Sequence, residues 1–304
     1  MEKWENLYGR LLEKCGAVWY NTTRKKVSIM KKFIIDMHTH SKYSHDGKNT
    51  LAEMLEQAQK LGVGFYGVSE HFNYDYDFSL MTKEEQEYFR DANPEEYFHG
   101  ARHLQEDYQG VMNVCVGAEF GFSKNADVQG RYAMIYEKYR PDYIINSVHG
   151  AEGKDFAYFQ FTGTKEEVYK AYLRLIRESL DAPYPYDIVG HIGYIARYAP
   201  FEDRQFRLRE FGTEIDEILN AIIQKNKILE INTANKGLEN RTLPAWEIVE
   251  RYYALGGRKI SYGSDAHFQE RIADKWGEVV EKLKEIGFTY LTVPFRGEHI
   301  KVEI

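Results

Sequence analysis

Cysteine is nearly absent from this 304-residue chain: Cys15 and Cys115 are the only two. They form no CxxC pair and are too few for a disulfide framework, so a small stapled scaffold is excluded. No apolar run approaches the length of a membrane span, and no partner membrane is expected. There is no basic surplus either. Forty Lys and Arg stand against 47 Asp and Glu, a net charge of -7, which argues against general nucleic-acid binding. The opening MEKWENLYGR carries acids and no apolar stretch, so no secretory leader is expected and the cytoplasm is the default setting. Internal repeats and low-complexity tracts are also lacking.

What is present is a rhythm. After residues 1–29, read as an extension that carries no chemistry, residues 30–304 read as one unit. Short apolar strands alternate there with amphipathic helices. The strand candidates are KFIIDMH, GFYGVSEH, NVCVGAEF, DYIINSVH, YDIVGHIG, KILEINTA and KISYGSDAH, near-continuous apolar runs of the kind parallel strands need when both faces are covered. Thr50 with Glu53 and Thr164 with Glu167 form capping-box patterns at two helix starts. Pro244 is expected at the first position of a helix closed by Gly256. WGEVVEKLKEIG reads as the last helix and YLTVPF as a final strand, followed by a polar tail holding His299. The alternation predicts an α/β fold with a parallel sheet or barrel.

Polar residues favour the barrel. His38, His40, His71, Glu119, His149, His191, Asp265 and His267 fall at the carboxyl ends of expected strands or just beyond, and His45 follows on a loop. Barrel active sites are assembled from those ends. Residues two apart in an extended segment share a side, so His38 with His40, and Asp265 with His267, can each reach a common point. Imidazoles and carboxylates ligate zinc, iron and manganese alike, and nine donors exceed the needs of one ion. A lone histidine after an apolar run is usually a hydrogen-bonded core or loop residue; it is the coincidence of seven of the ten histidines at one end that points to metal. His99 and His103, in HGARH, read as surface residues. Asp36, on the side of His38, and Glu70, just before His71, are candidate orienting residues, with pairing to a neighbouring helix as the alternative for Glu70.

The words DMHTHSKYSHDG, VSEHF, GAEFG, SVHG, VGHIGYIARY, LEINTAN and YGSDAH, in that order over roughly residues 31–295, resemble the polymerase and histidinol phosphatase (PHP) superfamily, and within it the histidinol-phosphate phosphatases. The resemblance implies a distorted barrel of seven βα units in a single domain. It implies two or three divalent metal ions (Zn, Fe or Mn) and hydrolysis of a small-molecule phosphate ester. By the family pattern His38, His40, Glu119 and Asp265 hold a first ion. Glu119 bridges to a second, completed by His149 and His191, and His45, His71 and His267 hold a third. Arg197, in GYIARY, matches a family arginine near the phosphate. Asp265 or a metal-bound water is the candidate source of the proton the leaving oxygen needs. No lysine occupies a strand end, which disfavours an amidohydrolase-type barrel with a lysine bridge.

L-Histidinol phosphate, whose hydrolysis belongs to histidine biosynthesis, is the expected substrate. Its ammonium and imidazole would suit the acidic, aromatic segment after His71, with Asp75 or Asp77 as partners. Another phosphorylated metabolite or nucleotide, and a non-catalytic metal-binding module, are the alternatives. Oligomeric state is left open.

Overall fold

The apolar runs become strands because each is covered on both faces. In the computed structural model, which describes residues 33–234 and 242–304, seven strands lie side by side. They are β1 (Ile34–Asp36), β2 (Val63–Val68), β4 (Asn113–Gly121), β5 (Tyr143–Ser147), β8 (Ile188–Val189), β9 (Ile228–Asn232) and β10 (Ile260–Gly263), all parallel. The short β3 (His71–Phe72) joins β4 in the register His71↔Glu119. The ring closes almost completely between its ends: Met37 N donates to Tyr262 O at 2.9 Å, His40 N to Ala266 O at 2.8 Å and Asp265 N to His38 O at 2.8 Å. The expected seven-unit α/β barrel is therefore the observed one. The expected extension, residues 1–29, lies outside the described residues.

Helices cover the outside. α1 (Leu51–Leu61) follows β1, and α2 (Lys83–Tyr88) and α3 (Pro94–Asp107) follow β3. α4 (Ala126–Tyr139), α5 (Lys165–Ser179), α6 (Leu208–Gln224), α7 (Trp246–Ala254) and α8 (Trp276–Ile286) complete the layer. Both expected capping boxes form, at Thr50 with Glu53 and at Thr164 with Glu167. Pro244 is a correction: α7 begins at Trp246 with Ala245 as its cap, so the proline precedes the helix, after a cis Leu243–Pro244 bond. The tail is another. Residues Glu298–Glu303 form β12, antiparallel to β11 (Tyr290–Phe295), and His299 reaches back to Asp187 at 3.3 Å and Lys259 at 2.7 Å. Among the described residues no helix is long and apolar enough to cross a membrane.

Buried tyrosines tie the helix layer to the strands that carry the site. Tyr97, from α3, donates to Val68 O at 3.1 Å and Gly117 O at 2.6 Å, and Tyr132, from α4, donates to Phe72 O at 2.8 Å and Gly121 O at 2.7 Å. Each ring fills core volume while its hydroxyl satisfies carbonyls where strand pairing ends. The strand ends flanking His71 and Glu119 are thereby fixed from behind.

Candidate metal centre

Two-residue periodicity does at the top of β1 what the sequence suggested. His38 and His40 bring their Nε2 atoms to 3.0 Å of each other. Glu119 Oε2 lies 3.2 Å from the first and 3.5 Å from the second, and Asp265 Oδ1 lies 3.7 and 3.4 Å away. On the other side of Glu119, Oε1 is 3.0 Å from His149 Nε2 and 2.9 Å from His191 Nε2, and those two nitrogens are 3.2 Å apart. The parallel register sets His71 beside Glu119, its Nδ1 2.9 Å from Oε2, while its Nε2 lies 3.3 Å from His267 Nε2.

These contacts are not those of an ordinary hydrogen-bond network. Facing imidazole nitrogens compete for a proton, and Glu119 Oε2, His71 Nδ1 and His191 Nδ1 are buried without a hydrogen-bond partner. Two nitrogens bound at ~2.0–2.1 Å to one tetrahedral ion would stand about 3.3 Å apart, which is the spacing found. His40, His71 and His267, then His38, His40 and Glu119, then His71, Glu119 and His149 each offer donor atoms within 4.8 Å of one another. The chemistry and spacing of these donors fit divalent cations. His45 stands apart from these trios. Its ring centroid is 5.8 Å from that of His71, and it packs near Tyr88 and Phe89 at the cavity edge. Asp46, one residue on, lies closer, with Oδ2 3.0 Å from His267 Nε2.

Behind the donors stand residues the sequence reading passed over. Glu230, in the middle of β9, accepts from His38 Nδ1 at 2.5 Å and from the His191 backbone N–H at 2.6 Å. It fixes the tautomer of one ring and the backbone bearing the other, as second partners of metal-bound histidines commonly do. A Cβ at Gly263 would meet both Glu230 Oε1 and His38 Cβ at 2.5 Å, so only glycine leaves room for this pair. The signal was available: Glu230 is an acid inside the apolar run KILEINTA, two before Asn232. Asn232 donates to Asp265 Oδ2 at 3.3 Å, Asn73 Oδ1 accepts from His149 Nδ1 at 3.1 Å, and Ser147 donates to Glu119 at 2.6 Å. Asp265 itself has φ 53°, a strained setting for a residue other than glycine and one that recurs at functional sites.

Asp36 and Glu70 support segments that carry candidate donors rather than single side chains. Glu70 pairs with no helix; it is buried, accepting from the backbone and hydroxyl of both Ser41 and Ser44, and so anchors the loop between His40 and His45. Asp36 accepts from Ser264 N at 2.9 Å, Ser264 Oγ at 2.6 Å and Ala273 N at 2.8 Å. It thus holds the segment carrying Asp265 and His267.

Electrostatics divides the imidazoles. Burial alone would pull all of them down. It wins at His40, aided by His71 and His267, and at His191. At His38 it is outweighed by Glu230, Glu119 and Asp265, and at His149 by Glu119, so both are raised. At His267 burial is overcome by Asp46, and the ring is pushed up to about 9. Burial would raise Glu119 and Asp265, but the surrounding histidines hold both well below the usual carboxylate range.

The centre opens into a cavity of about 460 Å³. Arg197 lines it from the 3₁₀ turn Tyr194–Arg197, Nη2 3.4 Å from Asp265 Oδ2 and its guanidinium 4.8 Å from the Tyr194 ring centroid. Lys48 and Arg271 add positive charge, and Tyr76, Tyr88, Phe89, Tyr158 and Asp155 supply aromatic and acidic wall. Asp75 and Asp77 do not join them: Asp75 faces another cavity, and Asp77 is exposed, accepting from Ser79 N as the cap of a short turn.

The profile of the PHP domain family matches residues 36–234. A probable histidinol-phosphatase of Thermotoga maritima is 30% identical over 260 residues, covering 86% of this chain and 95% of that one. The histidinol-phosphatase of Lactococcus lactis is 27% identical over 277 residues, 89% and 97% of the two chains. Among solved structures, L. lactis histidinol phosphate phosphatase complexed with zinc, L-histidinol and phosphate aligns with a TM-score of 0.75 at 24% identity, over 87% of this chain and 98% of that one. A putative histidinol phosphatase of Listeria monocytogenes aligns at 0.71 and 23%, over 80% and 99%. A seven-stranded parallel barrel with this ring of donors at its mouth, and a family match across most of it, leave one conclusion: the chain belongs to the PHP domain family.

Proposed function

We propose that the chain hydrolyses a phosphate monoester at a centre of two or three divalent cations, and that the ester is L-histidinol phosphate, cleaved to L-histidinol and phosphate in histidine biosynthesis in the cytoplasm. The observation that carries the reading is Glu119, whose two oxygens each face a separate set of imidazoles within 3.5 Å. His38, His40 and Asp265 would hold one cation with Glu119, and His149 and His191 a second. His71 and His267 would hold a third, with His45 or Asp46 beside them. Zinc, iron and manganese all suit this donor set. When bound, such ions neutralise phosphoryl oxygens and activate water at neutral pH.

The protein's own part is positioning and charge. Arg197 offers a planar fork for the phosphate oxygens, with Lys48 and Arg271 on the same cavity. Asp265, kept ionised by its histidines, would serve as a ligand beside Arg197 rather than as the acid for the leaving oxygen. The substrate's cationic end finds Asp155, already hydrogen-bonded by Tyr76 and approached by Tyr194 at 3.4 Å, with aromatic faces around it. Support for the substrate is the similarity to histidinol-phosphatases over most of both chains, together with this pairing of cationic and acidic-aromatic wall.

The test is phosphate release from L-histidinol phosphate beside a panel of other phosphomonoesters and nucleotides, with metal analysis of the same preparation. L-Histidinol phosphate should show the highest kcat/KM, chelation should abolish turnover, and Glu119→Gln should lower it by more than the roughly 100-fold typical of an outer partner without unfolding the chain. A better substrate elsewhere in the panel would retire the assignment of the ester. An unchanged rate in Glu119→Gln would retire the metal mechanism.

A further inference from the structure

A second cavity, of about 570 Å³, lies beside the metal cavity, and no residue lines both. The two-stranded hairpin of β6 (Gly150–Ala151) and β7 (Lys154–Asp155) partitions them. Gly150, Ala151 and Gly153 face the second cavity, whereas Asp155 and Ala157 face the first.

The walls of the second cavity are aromatic. Phe156 lies 5.9 Å from Phe159, 6.1 Å from Phe161 and 5.7 Å from Tyr172 between ring centroids, and Phe122 adds a further ring. Set into this lining is Asp75. Its Oδ1 is packed over Gly121, closed to solvent and without a hydrogen-bond partner, while the residue keeps partial exposure on the cavity it lines. Burial pushes its carboxyl up to about 7, against a smaller opposing pull from His149. Of the two cations that line the cavity, Lys124 is paired with Glu178, and among the described residues neither it nor Arg174 forms an ion pair with Asp75. A buried carboxylate without a partner is costly, and aromatic faces around it attract a cation a second time.

We propose that this cavity is a second binding site, separate from the metal centre, for a compact organic cation: a primary ammonium on an aromatic body, its head on Asp75 and its ring among Phe122, Phe156, Phe159, Phe161 and Tyr172.

Calorimetric titration of the metal-supplemented full chain with 2-phenylethylammonium and with its neutral counterpart 2-phenylethanol tests this. The ammonium should bind at least about tenfold more tightly than the alcohol. Asp75→Asn, nearly isosteric, should erase that preference. Ala171→Trp, which fills the cavity from α5, should remove binding of both probes while phosphate release stays at the parent level. Asp155→Asn should leave binding as it was. Equal affinity for the two probes, a preference that survives Asp75→Asn, binding that survives Ala171→Trp, or binding lost only in Asp155→Asn would each overturn the proposal.

Discussion

The body of the barrel and its mouth are made of the same strands and differ in what those strands bury. Through their length the strands bury apolar side chains such as Phe65, Ile145, Ile188, Leu229 and Ile260. At their carboxyl ends the next residues are His38, Glu119, His191 and Asp265, equally buried and crowded with unshared lone pairs. Apolar burial stabilises the fold at roughly 25 cal/mol per Å², whereas buried ionisable groups without full partners weaken it. The body of the barrel therefore supplies the stability that lets the mouth hold buried ionisable groups with incomplete hydrogen bonding.

Substitution should separate the two. Phe65→Ala, in the body where Phe65 meets Phe295 edge-on at 6.4 Å, should cost about 3–5 kcal/mol in denaturant unfolding, while folded protein keeps its metal content. If metal affinity fell instead, with stability intact, the division would be wrong.

Glu230→Gln probes the seam. It keeps the shape and removes the charge that holds His38 and the His191 backbone, so metal affinity or turnover should fall by about 10- to 100-fold. Unfolding should change far less than in Phe65→Ala. A variant with full metal content and full rate would show that Glu230 merely fills space.

This division also explains what could be read in the sequence. The barrel was legible because its signal is repetition: seven apolar runs, each with a polar residue at one end. The proposed donors stand out as histidines at those ends, and the HxH and DxH pairs as residues two apart. Asp46, Asn73 and Ser147 do not, because a supporting residue is defined by what it touches across the ring and carries no pattern along the chain; Glu230 stands out only as an acid in an apolar run, and its partner His38 lies 192 positions away. Asp75 was placed in the metal cavity on composition alone, and the partitioning hairpin at residues 150–155 has no counterpart in the βα rhythm from which a wall between two cavities could be foreseen. The C-terminal hairpin escaped notice because β12, EHIKVE, alternates polar and apolar residues on one covered face, unlike the continuous runs of the barrel.

The smallest effect concerns protons, and it sharpens the contrast most finely. In the metal-free chain His267 is raised to about 9, burial being overcome by Asp46. A raised histidine stabilises the fold fully below its unfolded value of about 6.5, and the contribution fades as pH climbs through about 9. A cation requires the same ring neutral, so its effect has the opposite sign: binding expels the proton, and affinity climbs with pH until the ring is already neutral. At pH 7, titration of zinc into metal-free protein in buffers of differing ionisation enthalpy should therefore report proton release. Asp46→Asn should lower the number released, because the ring loses the charge that kept it protonated. Release undiminished in that variant would mean that His38 and His149, both also raised, account for all of it, and that His267 takes no part in holding the ion.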